Sequence, residues 1–228
     1  MEKKVVVISL GGSQIIPDDV NLSYLKEFKK ILLHHTKKYK FVVVCGGGSI
    51  ARKYISALKK SGINEKLQSL AGISATRMNA RFMNYLFNID PKHGIPHTTS
   101  TLQKYVKNQS IIFCGALEYK PNQTSDSTAA EIARHFNSEF INITNIKGLY
   151  DKNPKEFKNA RFIPRITWKD FDKMANAKSF KPGQHFVLDQ TASKTIMKNK
   201  ITTYILGNLK ELDNLLSNKG FNGTIIRG

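Results

Sequence analysis

Phe41-Val42-Val43-Val44-Cys45-Gly46-Gly47-Gly48-Ser49-Ile50-Ala51-Arg52 carries the reading of the whole chain. Its apolar run matches a strand buried on both faces. Three glycines follow, then helical spacing at Ile50, Tyr54, Ile55 and Leu58. The order is strand, glycine turn, helix. Adjacent glycines lose much conformational entropy on folding, so they need a reason. One is a phosphate held by bare backbone N–H groups at a helix N-terminus, where the dipole favours negative charge. The other is a tight turn that binds nothing. This stretch alone leaves both open.

Upstream, Lys4–Leu10 (KVVVISL) reads as another buried strand and ends in Gly11-Gly12-Ser13. Ligands of open parallel sheets gather beyond the carboxyl ends of strands, so two glycine loops there are more specific than one. Pro17-Asp18-Asp19 marks a turn with an acidic start to a helix carrying Leu22, Leu25, Phe28, Leu32 and Leu33. His34 and His35 are expected as solvated residues at its end.

Downstream, Asn64 to Phe87 reads as one long helix with small residues recurring through Ala71–Ala80. Arg77 and Asn79 read as surface residues on pattern alone. Asp90–His97 is a loop. Its two histidines flank Gly and Pro beside a single carboxylate, which fits a plain loop better than a metal pair. Ser110–Cys114 is a third strand. The polar run Lys120–Asp126 opens a helix whose inner face is Ala129, Ala130, Ile132, Ala133 and Phe136. Thr124, Ser125 and Asp126 suit an N-cap. They also suit hydroxyls and amides around a phosphate, with one carboxylate beside them.

Phe140–Thr144 is a fourth strand, followed by a loop through Pro154 and a short hairpin of Gly148–Tyr150 with Ala160–Ile163. Thr167 caps a helix bearing Trp168, Phe171 and Met174, with Trp168 in the core. Lys178–Gln184 is a loop, Val187–Asp189 leads into another helix, and Thr202–Leu206 and Gly223–Ile226 complete the strands. Strands alternating with helices predict a mostly parallel sheet covered on both faces.

The chain has 228 residues, enough for one large α/β domain, with 40% hydrophobic residues and a mean hydropathy of −0.34. No run reaches the roughly 18 apolar residues of a membrane span. The N-terminus runs straight into a strand with no signal-peptide core, so a cytoplasmic location is expected. Cys45 and Cys114 end apolar runs without metal-ligand spacing, and free buried thiols are expected. The formal net charge of +19 invites a nucleic-acid reading. The lysines are nevertheless scattered over nearly every helix, and no aromatic-interleaved RNA motif, helix-turn-helix or Cys/His module is present. A positive field also steers small anionic substrates.

Taken in order, these motifs resemble the amino-acid-kinase superfamily, and within it the archaeal-type uridylate (UMP) kinases. The resemblance covers nearly the whole chain. Its pieces are Gly11-Gly12-Ser13, Gly46-Gly47-Gly48 with Arg52, Thr76-Arg77-Met78-Asn79-Ala80, Pro121–Asp126, Thr144-Asn145-Ile146-Lys147-Gly148-Leu149-Tyr150, and Asp189 opening a late helix. Isopentenyl phosphate kinases of the superfamily carry a Gly-His pair soon after the triple glycine, where this chain has Ser49-Ile50-Ala51-Arg52.

The resemblance implies a three-layer αβα sandwich, one domain over residues 1–228, with an acceptor part at about 1–140 and an ATP part at about 141–228. It implies ATP with Mg²⁺, phosphorylation of UMP to UDP, and a homohexamer. Gly11, Gly12, Gly48 and Arg52 would hold ATP phosphates, and Thr144, Asn145, Tyr150 and Asn153 would line the nucleoside pocket. Gly47, Ser69 and Pro121, Asn122, Gln123, Thr124 and Ser125 would hold UMP. Asp126 would organise the basic groups or Mg²⁺ around the transferred phosphoryl group, and Asp126 and Arg52 would be the catalytic residues. The pattern is broken at Ser9, where many superfamily kinases carry Lys, at Ser69, where the family has Asp, and through Gly115-Ala116-Leu117, Asn122 and Asn153. A kinase of this fold for another phosphate or carboxylate acceptor, or a nucleotide-binding homologue without turnover, are the alternatives.

Overall fold

The computed structural model describes residues 3–120, 123–177 and 188–228. β1 (Lys4–Leu10) and β2 (Tyr39–Cys45) pair in parallel with Leu10 opposite Cys45. Both strands are rich in β-branched residues and bury both faces, as continuous apolar runs require. β3 (Ile111–Cys114) extends the sheet beyond β2, and β4 (Glu139–Ile143) lies on the other side of β1. β8 (Thr203–Leu206) follows in parallel, β9 (Gly223–Ile226) runs antiparallel to β8, and β7 (Arg165–Ile166) is parallel to β9. The order is β3-β2-β1-β4-β8-β9-β7. A separate antiparallel pair, β5 (Leu149–Tyr150) and β6 (Phe162–Ile163), forms the expected hairpin.

Side chains alternate between two cores. Val6, Ile8, Leu10 and Val43 pack against α2 (Leu22–His35), α4 (Glu65–Leu86) and α9 (Leu209–Leu216). Val7, Val42, Val44 and Phe140 pack against α5 (Thr99–Asn108), α6 (Ser125–His135), α7 (Trp168–Asn176) and α8 (Gln190–Lys198). The result is helices on both faces of a mostly parallel sheet. α1 (Gly12–Ile15) is a single turn after β1, and α3 (Gly48–Lys60) lies along α4. Local chemistry sets the helix starts. Asn64, Thr98, Thr124, Thr167, Asp189 and Asn208 each accept a backbone N–H at their N-cap position.

Cys114 pairs in register with Val44, so it lies on the opposite face from Cys45, and both thiols are free and buried. Burial pushes the Cys114 thiol up to about 12. Several expectations are corrected. His35 is not solvated: it is buried, and its Nε2 lies 2.8 Å from Asp213 Oδ1, which ties α2 to the residues of α9. Asn79 is also buried, and Arg77 is half-buried and committed to backbone carbonyls. α2 begins three residues after Asp19, so no acid stands in its first turn. α1, α5, α9 and β7 were not expected from the pattern. The expected loop Lys178–Gln184 lies outside the described residues, as do Pro121 and Asn122.

Candidate active site

The sheet face under α6 is apolar until its carboxyl end, where it turns polar. Ser9 on β1 and Asn142 on β4 stand opposite each other in register, and both are buried. Ser9 Oγ donates to Asp126 Oδ1 at 2.6 Å, and Asn142 Nδ2 donates to the same oxygen at 2.9 Å. Asp126 sits in the first turn of α6, where the helix dipole favours a negative charge.

Thr124, the N-cap of α6, accepts from the N–H groups of Asp126 at 3.1 Å and Ser127 at 3.4 Å. Its hydroxyl donates in turn to Asp189 Oδ2 at 2.5 Å. Asp189 is itself the N-cap of α8, accepting from Ala192 N at 2.9 Å. Two helix N-termini therefore meet through one Thr–Asp bond. Burial pushes the Asp126 carboxyl up to about 7. The Ser9 bond opposes that rise, the Asp189 carboxylate adds to it, and the Asn142 bond again opposes it. A carboxyl whose pKa is raised by burial and a neighbouring carboxylate is a candidate for a working site. The carbonyl oxygen of Asn142 is buried and has no hydrogen-bond partner among the described residues. Such an orphan costs about 1–3 kcal/mol.

The two glycine loops meet backbone to backbone. A Cβ on Gly12 would lie 2.0 Å from Gly48 N, and one on Gly46 would lie 2.3 Å from Gly12 N. Gly46 N donates to Leu10 O at 2.9 Å, and Ser49 N to Ile16 O at 3.0 Å. Gly48 has φ +63°, which favours glycine. Gly12, Gly46 and Gly48 are thus already required by loop-on-loop packing, before any phosphate is invoked. Gly11 opens the α1 turn, and Gly47 is the N-cap of α3. Arg52, exposed on α3, donates to Pro17 O at 3.0 Å and pins the segment after α1.

Gln123, Thr124 and Ser125 are half-buried at the start of α6, together with Asp126. Thr144 closes β4, its N–H bonded to Leu206 O at 2.9 Å, and Asn145 beyond it is exposed. Tyr150 packs against Phe162 in a tilted pair, with ring centroids 5.5 Å apart. Asn153 is occupied locally: its amide donates to Glu156 at 2.7 Å and accepts from Lys155 N at 3.1 Å. Ser69 is exposed on α4, and no hydrogen bond links it to the Asp126 group among the described residues. Those residues also contain no group of three or more Asp, Glu, His or Cys side chains able to hold a metal ion.

The model of the amino acid kinase family matches residues 4–207. The chain belongs to the amino acid kinase family. A uridylate kinase of Thermoplasma volcanium is 35% identical over 220 residues, 94% of this chain and 93% of its own. A uridylate kinase of Thermococcus kodakarensis is 31% identical, with 89% of each chain covered. The crystal structure of uridylate kinase from Archaeoglobus fulgidus superposes with a TM-score of 0.83 at 28% identity, covering 97% of this chain and 99% of that one.

Within this amino acid kinase, the sequence singled out Asp126 and Asp189, which the structure brings together through Thr124, but not Asn142, which bonds Asp126. The available signal was a polar residue inside the buried run Phe140-Ile141-Asn142-Ile143, on the same strand face as Phe140. The tie between Thr124 and Asp189 was also missed, because its partners lie 65 residues apart.

Proposed function

We propose that this protein transfers the γ-phosphoryl group of ATP to UMP, giving ADP and UDP. The observation that carries the reading is 35% identity to a uridylate kinase over 94% of the chain. The geometry around Asp126 is consistent with it. Phosphoryl transfer needs two phosphates held in line and charge neutralised, with little covalent chemistry from the protein. The acceptor phosphate oxygen forms a bond to the γ-phosphorus while the bond to ADP breaks.

We assign Gly11, Gly12, Gly48 and Arg52 to the ATP phosphates, and Thr144, Asn145 and Tyr150 to its nucleoside. Asn153 joins them only by releasing Glu156 and Lys155. Gly47 and the segment 121–125 take the UMP phosphate, and Ser69 its sugar. In this scheme residues 1–140 chiefly build the acceptor side and 141–228 the ATP side of one domain. Asp126 orders the reacting phosphates, and Arg52 faces them across the cleft.

Mg²⁺ fits the residues present. Asp126 Oδ2, which takes no hydrogen bond among the described residues, is a hard carboxylate oxygen that would hold the ion while nucleotide phosphates and water completed its shell. When bound, the ion neutralises charge on the transferring group. Exposed Leu67, Leu70, Met78 and Tyr85 on α4 support assembly, for which a homohexamer is our expectation. Free nucleotides as substrates suit a cytoplasmic enzyme.

A coupled ADP-release assay across UMP, CMP, dUMP and isopentenyl phosphate tests the acceptor. The reading requires a clear preference for UMP, and equal rates with all four would refute it.

A further inference from the structure

Val5, Val7, Val42, Val44 and Phe140 make the sheet face under α6 apolar, and Ser9 and Asn142 interrupt it. Asparagine is disfavoured in strands. In a buried central strand with its carbonyl oxygen unsatisfied, it is doubly so. Packing therefore gives no reason for Asn142; a valine would suit the position better. What the amide does is bond Asp126. Its Nδ2 donates to Oδ1, the oxygen that already takes the Ser9 hydroxyl. Two donors arriving from adjacent strands on one oxygen fix the rotation of the carboxyl group. The second oxygen, Oδ2, is left for the substrates.

Among the described residues, no lysine or arginine is bonded to Asp126. The side chains acting on it are Ser9 from β1, Asn142 from β4 and Asp189 from the start of α8. The clamp is made of neutral donors, one of them standing where a superfamily lysine is common.

We propose that Asn142 is a positioning residue, which holds Asp126 Oδ1 against Ser9 so that Oδ2 faces the transferring phosphoryl group. The inference rests on the kinase reading above. It goes beyond that reading by giving a reaction role to a residue with no expected contact to either nucleotide base or sugar.

Asn142→Val removes the amide and restores an apolar strand position. With ATP and UMP, kcat is expected to fall by about tenfold or more while KM for each substrate stays within about twofold. The thermal midpoint is expected to be unchanged or higher, because an orphan acceptor has gone. In an Asp126→Asn background the same substitution is expected to change kcat by less than about twofold, since the carboxylate it positions is absent. If Asn142→Val does not fold, Asn142→Ser is read by the same comparisons. A folded variant with kcat near that of the wild type overturns the inference, as does an equal loss in both backgrounds. Absence of UMP turnover by the wild-type chain overturns the kinase reading and this inference with it. Wild-type turnover with an unaffected Asn142 variant overturns this inference alone.

Discussion

A methyl group decides how the glycine loops pack. At Gly12 a Cβ would meet Gly48 N and Gly46 C, both backbone atoms that cannot swing away. At Gly220 it would meet nothing within 4 Å. Gly12→Ala is therefore expected to cost about 1–3 kcal/mol or more by overpacking, and to lower the thermal midpoint by roughly 3–10 °C. Gly220→Ala is expected to stay within about 2 °C. Thermal melts of both variants check this. The glycines were visible in the sequence, but their first duty was not. A run of glycines looks the same whether it admits a phosphate or a neighbouring backbone. Asp126 carries a second expectation at this scale. Its folded carboxyl titrates at about 7 against an ordinary value of 3.8, raised mainly by burial. Between those values the folded state binds more protons than the unfolded one, so stability falls as pH rises from about 4 to about 7 and is flat above. Asp126→Asn removes that loss. The midpoint of the variant minus that of the wild type should grow between pH 5 and pH 8; a difference independent of pH would contradict it.

Among the elements, α4 does more than its small-residue pattern suggested. Asn79 Nδ2 donates to Gly46 O at 2.7 Å, which holds the end of the β2 turn. Thr76 Oγ1 accepts from Ala116 N at 3.0 Å. Arg77 donates to Ala116 O at 3.1 Å and to Leu117 O at 2.5 Å. One helix thereby fixes both the triple-glycine turn and the exit from β3, on the acceptor side of the proposed scheme. Arg77→Ala should raise KM for UMP by about tenfold while leaving KM for ATP within about twofold. Steady-state kinetics with each substrate varied checks it, and an equal rise for both would count against the assignment. These ties were illegible because their partners are backbone groups 33 to 40 residues away. His35 was misread for the same reason, with Asp213 lying 178 residues on. β1 and β2 were legible because burial on both faces leaves an uninterrupted apolar run. α5 was not, since only Leu102 and Val106 are buried along it. β7 is two residues long, too short for any pattern.

For the whole molecule, the order of strand-end motifs identified the fold because a parallel sheet gathers those ends on one side. The net charge of +19 belongs to the same scale. Two polyanionic substrates meeting in one cleft gain from a positive field at a distance, without any one lysine being dedicated to them. In the proposed scheme the neutral Ser9 and Asn142 clamp leaves local charge compensation to Arg52 and to an ion accompanying ATP. The most direct measurement is ³¹P NMR of ATP and UMP incubated with the wild-type chain and, separately, with folded Asp126→Asn. The account predicts UDP and ADP forming in equal amounts with the wild type, and a rate lower by about a hundredfold in the variant. No UDP from the wild type, or equal rates from the two proteins, would contradict it.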